Sequence, residues 1–320
     1  MKKLNFHLIK KMIKQKLKNK YQKIILKLSA IILLVLLFFF PSFNIKIKKK
    51  HENIKKSSFK PSIKYKPDDL TIVTAYYKIK SKHSFPEYLR RLKNFVKLNH
   101  SIVFFASKTF INIIKKMRPS NLQNKTIFIE MEMEDFYSYK NFRKEFNESF
   151  YVDIENSYHT VPLYLIWAEK CSFLKKAIIN NYFNSKCFYW VDAGYFVKSD
   201  EMDKYINWPS TKKCYENSRV LINSIRNVHD SERKDLLSFN LTTHKNFQRS
   251  SNVGGNVFGG QPENLLKFID YYYKTIKLFI NHHIFIGKDQ NLFAFVAFSH
   301  PEIINLVQSG KWYYFLNYLS

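Results

Sequence analysis

The order of hydrophobic and polar residues predicts alternating strands and helices from residue 70 onward. Residues 70–77 (LTIVTAYY) form a short β-branched run, 86–99 place apolar side chains at helical spacing, and 101–107 (SIVFFAS) are strand-like again. A strand, a helix and a second strand in this order predict a β-α-β unit, whose two strands run parallel.

Later segments extend this pattern into an α/β fold. Residues 125–131 predict a third strand and residues 162–182 a long helix. The stretch 187–194 (CFYWVDAG) is apolar on both faces until its carboxyl end, which is typical of a strand in a parallel sheet covered by helices. We therefore predict an α/β fold with a parallel sheet flanked by helices.

Asp192 is the single charged residue of this buried-looking strand, and it stands at the carboxyl end. In open α/β sheets, ligands bind beyond the carboxyl ends of the strands. A carboxylate at that edge is suited to hold a divalent metal or a ribose hydroxyl. The alternative is that Asp192 caps the following turn, for which Ala193 and Gly194 are suitable neighbours.

Two further segments carry candidate chemistry. Residues 252–260 (NVGGNVFGG) hold four of the seven glycines and predict a loop, a strand and a loop where a ligand approaches the backbone, although a pair of β-turns gives the same pattern. Residues 287–296 (GKDQNLFAFV) place Asp289 and Gln290 just before an apolar helix. Asp289 is then either a helix cap or a catalytic group.

The amino-terminal segment predicts a membrane anchor. Residues 28–45 carry no charge and have the length of a membrane-spanning helix, after a basic tail at 1–27. Residues 46–67 are lysine-rich and contain two prolines, which is typical of a stem, and the domain then occupies 68–320. A cleaved signal peptide is disfavoured because its basic region is too long and no cleavage site follows. We expect a single-pass type II membrane protein.

The basic charge belongs mainly to the tail and stem. The chain has a net charge of +28, and residues 1–66 contribute 19 lysines against one acidic residue, which leaves +10 for the remainder. The lysines lie beside the predicted anchor and do not alternate with aromatic residues in the domain, so no nucleic-acid partner is expected. The charge instead favours an anionic surface or an anionic small molecule.

Three cysteines, Cys171, Cys187 and Cys214, lack the spacing of a metal site. At most one disulfide is possible among them. We expect ordinary buried thiols.

Taken together, four motifs resemble the HtrL/YibB-like family, within the GT-A class of glycosyltransferases. They are TIVTAYY at the start of the domain, W-V-D-A-G at a strand end, V-G-G-N-x-F-G-G, and G-K-D-Q-x-L, in that order over residues 70–307. The resemblance implies a GT-A-like, Rossmann-like mixed sheet that is largely parallel, flanked by helices and binds a nucleotide. It also implies an enzyme that builds surface glycans.

The resemblance also implies roles for individual residues. Asp192 stands at the metal-binding acidic motif, but the second acidic position of that motif is Gly194 here, so a requirement for Mn²⁺ or Mg²⁺ stays open. Asp289 stands where inverting enzymes keep their general base, while Lys288 and Arg249 are the alternative source of positive charge. The remaining predicted binding residues are Thr74, Ala75 and Tyr76 at the nucleotide, Trp190 as a stacking aromatic, Gly254, Gly255 and Asn256 at the sugar or acceptor, and Gln290.

The predicted function is therefore a membrane-anchored glycosyltransferase of hexosyltransferase type. It moves a sugar from a nucleotide-sugar donor to a hydroxyl of a glycan or glycoconjugate, with its domain in the Golgi or ER lumen if the source is eukaryotic. The alternative is a GT-A-like protein that has lost catalysis and binds a glycan or a partner at the membrane, as the missing second aspartate suggests.

Overall fold

The computed structural model describes residues 69–80, 82–227, 229–238 and 253–320. The predicted tail, anchor and stem, and also Arg249, lie outside these residues. Within the described part of the chain, no helix is long and apolar enough to cross a membrane. The anchor at 28–45 and the domain boundary at 68 stay predictions.

The described residues form seven strands and ten α-helices. The strands are β1 Leu70–Tyr76, β2 Ser101–Ala106, β3 Thr126–Glu130, β4 Cys187–Val191, β5 Val220–Ser224, β6 Val253–Gly260 and β7 Ile304–Gln308. The helices are α1 Phe85–Phe95, α2 Lys108–Met117, α3 Tyr137–Val152, α4 Val161–Asn180, α5 Met202–Tyr205, α6 Lys212–Glu216, α7 Asp230–Leu237, α8 Pro262–Asn281, α9 Asp289–Ser299 and α10 Phe315–Tyr318.

The seven strands form one mixed sheet in the order β3-β2-β1-β4-β6-β5-β7. β6 pairs antiparallel with both β4 and β5, whereas the other four pairings are parallel. β1 and β4 are therefore parallel neighbours at the centre, and their carboxyl ends lie at the same edge. This confirms the predicted α/β fold with a largely parallel sheet.

The sheet is buried on both faces, as the continuous apolar runs predict. Alternate strand residues enter two separate cores: Val73 and Trp190 pack with helices α3, α4, α8 and α9, while Ile72 and Tyr189 pack with α1 and α2 on the other face. This alternation follows from the two-residue period of a strand.

The elements predicted from the sequence are confirmed, with ends that differ by at most four residues. The glycine-rich segment differs in kind: Val253–Gly260 is one continuous buried strand, so Gly254 and Gly255 do not lie in a loop. Glycine is needed there because the neighbours are too close for a side chain. A Cβ on Gly259 would lie 2.3 Å from the Tyr189 ring.

The expectation of three ordinary thiols is wrong for two of the cysteines. Cys187, the first residue of β4, forms a disulfide with Cys214 in α6. Cys171 is a free, buried thiol. No local spacing marks the pair, because the two residues are 27 positions apart and the fold brings them together.

Candidate functional site

A cleft of about 320 Å³ opens at the carboxyl edge of β1 and β4, at the lower end of the usual range for small-molecule sites. Residues from both strand ends, from α1 and α4, from β6 and from the carboxyl-terminal segment line it. The principal lining residues are Ala75, Tyr76, Tyr88, Arg91, Trp167, Lys170, Trp190, Asp192, Asn256, Trp312 and Tyr313.

One face of helix α4 forms a wall of this cleft. Leu163, Ile166, Trp167 and Lys170 line the cleft, and their spacing places them on one side of a helix. Thr160 caps the helix by accepting a hydrogen bond from the backbone N–H of Leu163. The helix thus carries a lysine to the end of the sheet.

Lys170 is the centre of a buried charge cluster. Its Nζ lies 3.1 Å from Asp192 Oδ1 and 2.8 Å from Asp289 Oδ2, and it donates a hydrogen bond of 2.8 Å to the carbonyl oxygen of Gly255. The side chains of Lys170 and Asp289 are 3% and 4% exposed. One ammonium therefore joins the end of β4, strand β6 and the start of α9.

Burial and charge act in opposite directions on this cluster. Burial alone lowers the pKa of the Lys170 ammonium, but Asp192 and Asp289 outweigh it, and the pKa is raised above its ordinary value. Desolvation raises the pKa of Asp192, against the opposing effects of Lys170 and of a hydrogen bond from Trp190. Solvent reaches 36% of the Asp192 side chain, which moderates this rise.

Asp192 is the acidic member of the cluster that faces the cleft. Its Oδ1 accepts a 2.7 Å hydrogen bond from Trp190 Nε1, and its backbone N–H donates to the carbonyl oxygen of Asn256. The backbone carbonyl of Asp192 also accepts a hydrogen bond from the N–H of Tyr195, so a turn does follow the strand. The side chain itself is engaged with Lys170 and Trp190 rather than with that turn.

Asp289 is not a helix cap, and it does not line the cleft. It is the first residue of α9, preceded by Lys288 at the cap position. Its carboxylate faces Lys170, and among the described residues Oδ2 accepts no hydrogen bond of good angle, so the contact is an ion pair. A negative charge in the first turn of a helix also interacts favourably with the helix dipole.

Gly255 and Asn256 have different roles in the site. A Cβ on Gly255 would lie 2.6 Å from Asp289 Oδ2, so the glycine makes room for the buried carboxylate rather than for a ligand. Asn256 lines the cleft and is 6% exposed, and its Nδ2 has no hydrogen-bond partner among the described residues. A buried amide donor without a partner is a candidate to bind a ligand.

The other predicted binding residues divide into two groups. Ala75, Tyr76 and Trp190 line the cleft as expected. The remainder do not line it: Thr74 is fully buried in β1, Gly254 lies in β6, Gln290 donates to the carbonyl oxygen of Val253, and Lys288 is buried and ion-paired with Glu155. Lys288 is therefore not positioned to meet a diphosphate in the cleft.

The structure brings other residues to the cleft that the sequence interpretation did not select. Arg91 and Tyr88 arrive from α1, Trp167 and Lys170 from α4, and Trp312 and Tyr313 from the segment after β7. The only sequence signal for Lys170 was a charge within an otherwise apolar helix face. The rest have no local signal, because the chain fold alone brings them together.

A divalent cation does not fit at Oδ1 of Asp192. The ammonium of Lys170 already lies within 3.1 Å of Oδ1, and Trp190 donates to the same oxygen. A second group, Asp153, Glu155 and His159, brings ligand atoms within 4.8 Å of one another. Both Asp153 oxygens already accept hydrogen bonds, from Glu155 N, Tyr164 and His159, and Glu155 pairs with Lys288.

Comparison with known proteins gives a family but no activity. No curated protein matches the chain. Among solved structures, 4-diphosphocytidyl-2C-methyl-D-erythritolsynthase from Anaerococcus prevotii is similar at 11% sequence identity and a TM-score of 0.34, over 76% of this chain and 87% of that chain, which is too weak to carry an argument. A family model described as "Bacterial protein of unknown function (HtrL_YibB)" matches residues 68–319. The chain therefore belongs to the HtrL/YibB family.

Proposed function

We propose that the protein is a GT-A-like glycosyltransferase that transfers a sugar from a nucleotide-sugar donor to a hydroxyl group of a glycan. The observation that carries the proposal is Asp192, a carboxylate exposed in a cleft at the carboxyl edge of a mixed, largely parallel sheet and held there by Lys170. This edge is where nucleotides bind to open α/β sheets. The resemblance of the four motifs to the HtrL/YibB-like family, within the GT-A class, supports the same assignment.

Aromatic and basic side chains in the cleft suit a nucleoside diphosphate. Tyr76 and Tyr88 offer faces for a base or a sugar ring. Arg91 is buried and ion-paired with Glu87, and its Nε has no hydrogen-bond partner among the described residues, while Lys78 lies exposed at the same cleft. These two cations take the role first assigned to Lys288 and Arg249, which is to stabilise the charge of the leaving diphosphate.

In the proposed reaction, the acceptor oxygen forms a bond to the anomeric carbon as the bond from that carbon to the diphosphate oxygen breaks. The acceptor proton passes to a carboxylate, and the nucleoside diphosphate leaves with the bonding electron pair. Asp192 is the carboxylate that the cleft exposes, and its raised pKa favours proton uptake. Asp289, the base that the sequence favoured, is buried behind Lys170 and holds that lysine in place.

The disulfide supports a location outside the cytosol. Disulfides persist in oxidising compartments such as the periplasm and are rare in the cytosol. The pair Cys187 and Cys214 therefore agrees with a type II topology, in which residues 28–45 anchor the chain and the domain lies on the far side of the membrane. The family is described as bacterial, which makes the periplasm the corresponding compartment.

Nucleotide recognition is tested by thermal unfolding of the purified full-length chain with a panel of nucleoside diphosphates. A ligand at 100 times its dissociation constant stabilises the folded state by about 2.7 kcal/mol, which is readily measured. We expect stabilisation by at least one nucleotide, weakened by Arg91→Met. Lys93→Met, an exposed position on the same helix outside the cleft lining, is the control and should leave binding unchanged. Absence of any shift across the panel would reject donor binding.

A catalytically inactive glycan-binding protein is the second candidate. The burial of Asp289 and the glycine at position 194 favour it, because they remove the general base and the second acidic residue that the family resemblance implies. Both candidates predict a ligand in the cleft, whereas only the transferase predicts turnover of a nucleotide sugar. Turnover therefore decides between them.

A further inference from the structure

We propose that Lys170 is the resident cation of this site: its ammonium holds Asp192 and Asp289 together, and the site takes no divalent metal ion there. This inference rests on the proposed function, because it concerns how the same site is built. Lys170 is a positioning residue, since its contacts are to protein groups rather than to the reacting atoms.

Three oxygens surround the ammonium of Lys170. They lie within 3.1 Å of Nζ and belong to Asp192, Asp289 and the Gly255 carbonyl, which accepts a hydrogen bond while the two carboxylates form ion pairs. They come from the residue after β4, from α9 and from β6, so one ammonium connects three elements.

The charges of the cluster explain why the lysine is retained in the interior. Two carboxylates close to one another repel each other unless a cation lies between them. Lys170 lies between them at 3% exposure, and removal of a partner from such a buried pair is strongly destabilising. The nearby Trp190 ring, whose centroid lies 5.8 Å from Nζ, adds a favourable contact for a cation.

The same geometry leaves no position for a divalent ion on Oδ1 of Asp192, so this residue could offer an ion only its other oxygen, Oδ2. Mg²⁺ binds oxygen ligands at roughly 2.0–2.1 Å, which on Oδ1 would place the ion beside the ammonium. Gly194 stands where a second acidic ligand would be needed, and the buried Asp289 already faces Lys170. Lys170 therefore replaces the metal instead of assisting it.

Binding of free Mn²⁺ to the full-length chain, followed by electron paramagnetic resonance without nucleotide, tests the inference in the native protein. We expect wild type and Asp192→Asn to bind the same number of ions, because Asp192 is not a ligand. This comparison also removes any contribution from Asp153, Glu155 and His159, which is common to both proteins. One additional ion in wild type would overturn the proposal.

Variants at Lys170 give the complementary test. Lys170→Ala leaves two carboxylates and an empty volume, so we expect a gain of one Mn²⁺ per chain that disappears in Lys170→Ala with Asp289→Asn. Lys170→Met, which fills the volume without charge, should gain none. A folded Lys170→Ala that gains no ion would contradict the proposal. If Lys170→Ala does not fold, the comparison of wild type with Asp192→Asn decides alone.

These measurements are independent of the proposed function because they contain no nucleotide and need no turnover. The remaining measurement is thermal unfolding of wild type with a nucleoside diphosphate, once in excess chelator and once with added Mn²⁺. We expect the stabilisation to be the same with chelator and with added Mn²⁺. Stabilisation that disappears with chelator would overturn the role of Lys170 and leave donor recognition intact. No stabilisation under either condition would reject donor recognition, and the result of the Mn²⁺ binding experiment would still hold.

Discussion

At the scale of single residues, the site depends on the different exposure of two aspartates. Asp192 reaches the cleft, whereas Asp289 is buried on the other side of Lys170. Their sequence contexts do not distinguish these positions, because each aspartate stands at one end of an element. In the structure, Asp192 is placed to contact a substrate, whereas Asp289 orients Lys170.

Asp192→Asn should lower kcat by about 100-fold to 10,000-fold, the usual contribution of general acid–base catalysis. The change removes the charge but keeps the size of the side chain and an oxygen that can accept from Trp190 Nε1, so the fold should be retained. Steady-state kinetics and circular dichroism on the same preparation check both points. Turnover within about twofold of wild type would return Asp192 to a structural role.

Asp289→Asn should lower kcat less, by about 10-fold to 100-fold, the range found for groups that orient a ligand without touching substrate. Donor affinity should change little because Asp289 does not line the cleft. Steady-state kinetics of Asp289→Asn and Asp192→Asn, measured under the same conditions, compare the two losses in kcat. A loss larger than that of Asp192→Asn, with donor affinity retained, would instead make Asp289 the general base that the sequence favoured.

At the scale of elements, strand β6 is fitted to its neighbours by its glycines. We expect Gly255→Ala to displace Asp289, since the new Cβ would lie 2.6 Å from Oδ2, and therefore to lower turnover. Gly260→Ala is the matched control at the far end of the strand, where the nearest contact is 3.3 Å. It should lower the unfolding temperature slightly and leave turnover of the folded protein intact. Equal turnover in both variants would exclude the steric explanation.

The start of helix α3 depends on a buried carboxylate from α4. Glu169 accepts hydrogen bonds from the backbone N–H groups of Tyr137 and Ser138, and its burial raises its pKa. The folded state therefore binds this proton more tightly than the unfolded state, so the contribution of Glu169 to stability falls as pH rises from about 4.5 through the raised pKa. Urea unfolding over this window should show a steeper loss for wild type than for Glu169→Gln. Parallel pH profiles would argue against this.

The elements were more predictable than the contacts between them. The strand at 70–77 and the helix at 162–182 carry their own periodicity, so local sequence was sufficient to place both. Lys170 was missed because its partners are remote, and the Gly255 carbonyl alone is 85 positions away along the chain. The glycines of β6 were predicted to line a ligand. A glycine is needed whether a ligand or another part of the protein approaches the backbone closely, so the sequence does not distinguish the two cases.

At the scale of the whole molecule, one disulfide joins the central sheet to helix α6. Its reduction should lower the free energy of unfolding by about 2–4 kcal/mol, as is typical of a single crosslink. Urea unfolding with and without reductant measures this change. Cys214→Ala is the control, because reductant should have no further effect on it. Equal stability of wild type in both conditions would show that the crosslink does not contribute.

The predicted topology also belongs to this scale. We expect the domain of the full-length protein to lie outside the cytosol, because a long basic head precedes an uncharged run at 28–45 and the domain holds a disulfide. Protease added to the outside of intact spheroplasts should therefore digest the domain. Digestion only after lysis would place the domain in the cytosol and contradict the topology.

The most direct test of the central claim is turnover of nucleotide sugars by purified full-length protein in excess chelator. Release of nucleoside diphosphate is measured for wild type and Asp192→Asn across a panel of donors. The account predicts release from at least one donor by wild type, with a loss of about 100-fold or more in the variant. No release from any donor, either in chelator or with added Mn²⁺, although a nucleoside diphosphate binds the cleft, would contradict a glycosyltransferase and favour the binding protein.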